Sequence, residues 1–358
     1  MATPADSFVA PAAEIAAAFG ALDADELVFV VQQCLETGAW DHALALTDAL
    51  TKAEQTPGIR LCRAVATFLS GDTAGALSAV DGLLAGGARP LPALSVRAEM
   101  LLRLGQRDAA RECLLELVGR YPDYPRAQGL LATLYMPGPH YREVLARIHQ
   151  VLRPKTYLEI GVDTGATLAL AERSELAVGV DPVNAVRGRL PPNAKVFEEE
   201  SDEFFAKRGR DAVFGSRRVA LAFIDGLHRF ENALSDFANV ESWSDAGGTI
   251  VLHDCVPILA RAAARERSTK FWVGDTWKIV PALRAYRPEL KITTVLTPPS
   301  GLVVVRRLNP GSKLLTERRA EILERFGALV FERTPGNFAP ELNAVSCDDN
   351  GLAQALGG

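Results

Sequence analysis

The stretch from Lys155 to Pro182, KTYLEIGVDTGATLALAERSELAVGVDP, constrains the fold of this chain more than any other. A short apolar run (Tyr157, Leu158, Ile160) ends in Gly161. A glycine turn then leads to Gly165, Ala166 to Arg173 has helix-forming composition, and a second apolar run, Ala177 to Val180, ends in Asp181. Strand, glycine turn, helix, strand and terminal acid describe the first half of a nucleotide-binding α/β domain. Gly161 and Asp181 are 20 residues apart, close to what one βαβ unit needs to bring an acid to a ribose.

The residues that follow complete such a sheet. Ala194 to Phe197 reads as a short strand, followed by Glu198-Glu199-Glu200 and a helix start at Ser201-Asp202-Glu203. Val219 to Ile224 is a continuous apolar run, as a fully buried parallel strand requires, and it ends in Asp225-Gly226-Leu227-His228. Phe230 to Trp243 reads as a helix, Asp245 to Gly248 as a turn, and Thr249 to Leu252 as a buried strand ending in His253-Asp254-Cys255. Gly274-Asp275-Thr276-Trp277-Lys278 opens a helix through Tyr286. Lys291 to Leu296 and Leu302 to Arg307 flank Pro298-Pro299-Ser300-Gly301, a loop too short for a crossover helix, so these last two of about seven strands should pair antiparallel at the sheet edge. Ser312 to Phe326 reads as an amphipathic helix, and the tail to Gly358 has no clear periodicity.

The first third is a different kind of sequence. After an Ala- and Pro-rich lead-in over residues 1 to about 20, the pattern to Tyr135 is helical throughout. Gly38-Ala-Trp-Asp-His-Ala43, Gly71-Asp-Thr-Ala-Gly-Ala76 and Gly105-Gln-Arg-Asp-Ala-Ala110 align, with glycines 33 and 34 residues apart. That period, with glycine between two helices and alanine five residues later, resembles the tetratricopeptide repeat in degenerate form. Stacked hairpins of this kind expose a face for a partner. His42 and Cys34, Cys62 and Cys113 sit in this helical pattern as packing or surface residues. Met136-Pro137-Gly138-Pro139 closes the region, and Tyr141 to Leu152 reads as an amphipathic helix leading into the α/β part.

In open α/β sheets, ligands bind beyond the carboxyl ends of the strands. Glu159 to Gly165, Asp181, Asp225 with His228, and His253 with Asp254 all fall there. The glycine pattern is E-x-G-x-x-x-G, not the G-x-G-x-x-G of a dinucleotide site, and Asp163 stands where a pyrophosphate would approach. A phosphate loop is also missing. A ligand with a ribose and no phosphate fits better.

Taken in order, Glu159-x-Gly161-x-x-x-Gly165, Gly179-Val-Asp181, Asp225-Gly-x-His228 and His253-Asp254 resemble the class I S-adenosylmethionine-dependent methyltransferases over roughly Thr156 to Asn309. The last two motifs, with Gly274-Asp-x-Trp277-Lys278 and Gly301-Leu-Val-Val-Val305, resemble a bacterial subgroup of small stand-alone methyltransferases. The resemblance implies a Rossmann-like seven-stranded methyltransferase sheet behind an N-terminal all-α helical-repeat domain. The divisions are then 1–138 for the repeats, 139–310 for the methyltransferase domain and 311–358 for a C-terminal helix and tail. It further implies that Glu159, Gly161, Asp163, Gly165, Asp181, Ser201, Asp202 and Asp225 bind S-adenosylmethionine, with Asp181 taking the ribose hydroxyls. His228 or His253 could serve as base, since imidazole titrates near neutral pH. Alternatively Asp225 and Asp254 could hold Mg²⁺ and lower the pKa of an acceptor hydroxyl. Metal-dependent O-methyltransferases usually carry a second acid or Asn beside the later position, where this chain has Cys255.

Composition limits the partners. A net charge of −5 gives no electrostatic footprint for nucleic acid, and no apolar run approaches 18 residues. The N-terminal residues lack a basic n-region. The five cysteines are scattered and without CxxC spacing, as in a reduced, cytoplasmic protein. The expectation is therefore an O-methyltransferase of a hydroxylated small molecule or sugar-containing acceptor, with the repeats binding a protein partner or a second copy. The alternative is a non-catalytic adaptor built on the repeats.

Overall fold

A computed structural model describes residues 31–35, 37–49, 56–88, 90–332 and 342–357; the lead-in expected before residue 20 lies outside them. The chain divides into two compact units, Met1–Pro122 and Asp123–Gly358. The boundary expected at 138 falls inside the second unit, between helices Pro125–Tyr135 and Tyr141–Leu152.

The first unit contains helices Trp40–Ala49, Pro57–Leu69, Thr73–Ala85, Pro90–Arg103 and Arg107–Arg120, each packed on the next in sequence. Polar caps start two of them: Thr56 Oγ1 accepts from the amide of Ile59, and Asp72 Oδ1 accepts from that of Gly75 at 2.8 Å. The turn glycines Gly38, Gly71 and Gly105 have φ of +80°, +107° and +72°, a region other residues enter at a cost. Ala43, Ala76 and Ala110, five residues after each, are fully buried. A larger side chain at these points would hold neighbouring helices apart.

The second unit is a three-layer α/β structure. Its strands are β1 (Thr156–Ile160), β2 (Leu176–Asp181), β3 (Ala194–Glu198), β4 (Val219–Ile224), β5 (Ser244–His253), β6 (Lys291–Leu296), β7 (Leu302–Arg306) and β8 (Ala344–Ser346). They form one sheet in the order β3-β2-β1-β4-β5-β7-β6-β8. β1 to β5 run parallel, while β7 is antiparallel to both β5 and β6. Alternation along each strand serves two cores: Leu158, Val178, Ala222 and Leu252 face helices Phe230–Trp243 and Ile279–Tyr286, whereas Tyr157, Ala177, Phe223 and Val251 face helices Tyr141–Leu152 and Asp349–Leu356.

Four local expectations need correction. The sheet has eight strands, not seven: Ala344–Ser346 comes from the aperiodic tail and pairs parallel to β6, satisfying an otherwise open edge. Three residues are too few to show a period of two. The helix expected over Ala166 to Arg173 is a single 3₁₀ turn, Leu168–Ala171. Thr167 is tied to Glu159 at one end and Ser174 to the Pro154 carbonyl at the other, which leaves room for one turn. The residues expected as a turn, Asp245 to Gly248, belong to β5, where the register with β4 shifts. Finally, the helix expected from Ser312 breaks at Arg318 into Leu314–Glu317 and Arg319–Gly327.

Arg287 is the largest fully buried side chain. Its guanidinium makes two parallel bonds to Glu241, at 2.6 and 2.9 Å, and a third to Glu289 at 2.5 Å. Glu241 also accepts from the amide of Asn309, so this pair ties the helix before β5 to the chain after β7. No helix among the described residues is long and apolar enough to cross a membrane.

Candidate active site

The carboxyl ends of β1, β2, β4 and β5, with the segment after β3, open into one cavity of about 750 Å³. The strand order reverses between β1 and β4, and that switch point sets the crevice. Nine of the eleven residues singled out from sequence line it: Gly161, Asp163, Asp181, Ser201, Asp202, Asp225, His228, His253 and Asp254.

Glu159 and Gly165 do not. Glu159 is fully buried under the glycine turn, where its carboxyl group accepts from Tyr157 Oη at 2.5 Å and Thr167 Oγ1 at 2.7 Å. Burial pushes its pKa up to about 8 against the pull of those two hydroxyls. Glu159 therefore shapes the turn from below. Gly165, at φ +80°, faces Leu190 and Val186.

Gly161 cannot carry a side chain. Its φ is +86°, and a Cβ would stand 2.0 Å from the carbonyl oxygen of Asp225. The close approach lets β1 and β4 end side by side, with the Asp225 amide bonded to the Ile160 carbonyl at 2.8 Å. Asp181 fastens the same turn: one oxygen accepts from the amides of Val162 and Asp163 at 2.8 and 3.0 Å, and the other from Val183 at 2.8 Å. A carboxylate offers roughly four acceptor positions. Three are occupied by backbone, so Asp181 keeps room for about one ligand hydroxyl rather than two.

At the center, Asp225 and Asp254 alternate with His228 and His253. His228 Nδ1 lies 3.0 Å from the Trp272 carbonyl, which can only accept, so this nitrogen carries a proton. Its Nε2 faces Asp254 Oδ2 at 3.1 Å and Asp225 Oδ1 at 3.5 Å, and so also carries one. Burial opposes the resulting charge, but the two carboxylates prevail and raise the pKa to about 9. His253 is arranged similarly. Ser300 donates its hydroxyl to Asp254, so its oxygen accepts from His253 Nε2 at 3.1 Å, while Nδ1 faces Asp225 at 3.1 Å. Its pKa is also raised: burial opposes this, and Asp225 followed by Asp254 outweighs it. The Asp225 carboxyl is correspondingly held below its usual range, its burial being overcome by the two imidazolium groups.

This arrangement alters the expectation of a histidine base. His228 therefore offers no free lone pair in the neutral range, and the same two carboxylates bias His253 toward its protonated form. The sequence could not supply the deciding partners, Ser300 and the Trp272 carbonyl, because they lie 47 and 44 residues away in chain order.

Asp225, His253 and Asp254 can each turn one ligand atom to a common point, those atoms lying within 4.8 Å of one another. The two carboxylates suit a hard divalent cation, whereas His253 could join them only after giving up one of the protons it holds against Ser300 and Asp225. Asp254 adopts φ +57°, a left-handed conformation that turns the chain away from β5.

Sequence reasoning missed the far wall. Arg267, Lys270, Phe271, Trp272 and Val273 come from the segment between β5 and Thr276, and Arg142 and Tyr141 come from the helix preceding β1. Tyr141 stacks on His253 with centroids 4.0 Å apart, and Trp272 on His228 at 5.4 Å. Residues 256 to 273 contain neither a periodic apolar pattern nor a motif, so no signal marked them.

Residues 158–255 match a family model described as a methyltransferase domain. That span runs from β1 to just past β5 and takes in every carboxylate and imidazole of the central group. No curated protein matches the chain. Among solved structures, the cofactor-bound Rv0187 from MTB is 15% identical with a TM-score of 0.39, the match covering 54% of this chain and 93% of that one. The O-methyltransferase from Bacillus cereus in complex with SAH is 14% identical at 0.37, covering 55% and 90%. The O-methyltransferase TomG from Streptomyces achromogenes, involved in tomaymycin synthesis and solved with SAM, is 14% identical at 0.37, covering 47% and 80%. At TM-scores below 0.5 these likenesses bear on neither substrate nor chemistry.

Proposed function

We propose that the second unit is an S-adenosylmethionine-dependent O-methyltransferase acting on a hydroxyl of a small-molecule or sugar-containing acceptor. The observation that carries this reading is the coincidence of the methyltransferase-domain match with the cavity of about 750 Å³ at the sheet's carboxyl edge. The residues present suit the donor. The Gly161–Asp163 turn and Asp181 would hold its ribose and methionine parts, with Glu200, Ser201 and Asp202 beside the adenine. When bound, the donor supplies an activated methyl group on a sulfonium, so alignment accounts for most of the rate.

The chain's own contribution is positioning and charge. Asp225 and Asp254 would accept the acceptor hydroxyl's hydrogen bond, and His228 and His253 would hold those carboxylates in place. Asp225 and Asp254 would also suit Mg²⁺ or a similar cation, which supplies a lowered pKa for a bound hydroxyl. The first unit is read as a tetratricopeptide-like array for a protein partner or a second copy, supported by the recurrent turn glycine and buried alanine. A methyltransferase domain ending near residue 310, a C-terminal part over 311–358 and a cytoplasmic setting belong to the same proposal.

Calorimetry with S-adenosylhomocysteine and with NAD tests the reading. Binding of the first alone is expected; NAD binding without it would overturn the proposal. Asp181→Ala should abolish S-adenosylhomocysteine binding and Asp254→Ala should spare it. Titration with Mn²⁺, followed by electron paramagnetic resonance, should show one site lost in Asp254→Ala.

A further inference from the structure

The cavity is polarised along the sheet. At its β3-β2-β1 end stand Asp163, Asp181, Glu200 and Asp202. At its β5 end stand three cations, and their placement follows from contacts already described. Arg267 and Lys270 belong to the segment after β5 whose Trp272 stacks on His228. Arg142 follows Tyr141, which stacks on His253 and whose amide donates to the Pro298 carbonyl at 3.0 Å. Among the described residues the side chains of these three form no ion pair; the main-chain amide of Lys270 donates to Asp123 Oδ1 at 3.1 Å. Arg267 donates only to the main-chain carbonyls of Thr269 and Lys270, at 3.3 and 3.0 Å. The guanidinium of Arg142 lies over the Tyr141 ring at 5.7 Å.

The same segment also lines the cavity with two aromatic side chains, Phe271 and Trp272, the latter stacked on His228. Trp272 is held through ring and main chain: Nε1 donates to the Ala264 carbonyl at 2.7 Å, and the main-chain carbonyl of Trp272 accepts from His228 Nδ1. A rigid planar surface selects a flat or ring-shaped ligand with little ordering entropy lost. Unpaired cations beside it select negative charge, with Arg suited to the forked oxygens of phosphate or carboxylate.

We propose that the acceptor is an anionic, ring-bearing hydroxyl compound whose phosphate or carboxylate is held by Arg142, Arg267 and Lys270 while its ring lies on Phe271 and Trp272. This deepens the methyl-transfer reading and rests on it. The polarity then orients the two ligands oppositely: the donor's ribose and adenine toward the acids, the acceptor's charge toward the cations. Its hydroxyl is left facing Asp225 and Asp254.

The test uses the full chain saturated with S-adenosylhomocysteine and titrated with phenyl phosphate, benzoate and neutral benzyl alcohol. One or both anions should bind at least about tenfold more tightly than the alcohol, and which does so separates the two sources of charge. Lys270→Glu, and Arg267→Glu with Lys270→Glu, should each weaken the favoured anion at least about tenfold and leave S-adenosylhomocysteine within about twofold. Lys270→Glu is the safer variant, since its ammonium holds no loop carbonyl. Equal binding of anion and alcohol, or anion binding unchanged in both variants, would overturn the proposal. So would variants that weaken S-adenosylhomocysteine but not methylthioadenosine, since the cations would then serve the donor's own carboxylate. If the wild-type chain fails to bind S-adenosylhomocysteine, the methyl-transfer reading falls. An anion preference retained by that unsaturated chain would still support the cationic wall.

Discussion

Gly161→Ala isolates the contact on which the cavity depends, and Gly188→Ala is its control. The two glycines have nearly the same positive φ, +86° and +89°. A methyl group at Gly188 would meet nothing within 4 Å, whereas at Gly161 it would stand 2.0 Å from the Asp225 carbonyl oxygen, 2.5 Å from its carbon and 2.8 Å from the Gly226 nitrogen. The left-handed conformation costs both variants about 1–2 kcal/mol. Only Gly161→Ala must also open the seam between β1 and β4 by more than an ångström. That endangers the Ile160–Asp225 bond at 2.8 Å and the Gly161–Val180 bond at 2.9 Å, each worth about 1 kcal/mol. The expected losses are about 3–4 kcal/mol for Gly161→Ala and about 1–2 kcal/mol for Gly188→Ala. In a unit of this size 1 kcal/mol lowers Tm by about 2–4 °C, giving roughly 10 °C and 4 °C respectively. Differential scanning calorimetry on the full chain reads the transition of the second unit, and S-adenosylhomocysteine affinity should fall at least about tenfold only in Gly161→Ala. Equal Tm losses would refute the reasoning, because backbone strain alone would then explain both.

Three further outcomes are expected. His228 has a raised folded pKa of about 9, so its ion pairs stabilise fully below the unfolded value near 6.5 and are lost as pH rises through 9. The change is on the order of 3 kcal/mol, and urea titrations across that window should show it in the wild type but not in His228→Gln. Asp236 is buried, with Oδ1 unpartnered and a pKa pushed up by burial to about 7. The folded state then binds more protons than the unfolded one, and stability should fall between about pH 4 and 7 by a few kcal/mol; Asp236→Asn should flatten that slope, and an unchanged slope would count against the burial argument. Arg287→Met strands Glu241 in the core and should lower stability by about 3–5 kcal/mol, whereas adding Glu241→Gln should recover more than half of it in the same denaturant titration.

Much of the α/β architecture was legible in the chain because burial on both faces leaves continuous apolar runs, such as Val219 to Ile224. The position of the cavity was legible for a related reason: polar residues such as Asp181, Asp225 and His253 terminate those runs, and a parallel sheet gathers its strand ends on one side. The 3₁₀ turn at Leu168–Ala171 was not, since helical composition is a weak prior against two tertiary ties. Strand β8 was not, because three residues carry no periodic signal.

The sequence by itself thus determined which side chains meet at the sheet's carboxyl edge, through hydrophobic periodicity and the spacing of Gly161 and Asp181. Only the tertiary structure decided their states. It turned Glu159 inward to two hydroxyls, spent three of the acceptor positions of Asp181 on backbone amides, and gave both histidines proton-holding partners. It also brought Arg142, Arg267 and Lys270 to one wall. Protonation and charge pairing depend on atoms within a few ångströms, and in a crossed-over sheet those atoms come from residues far apart in the chain.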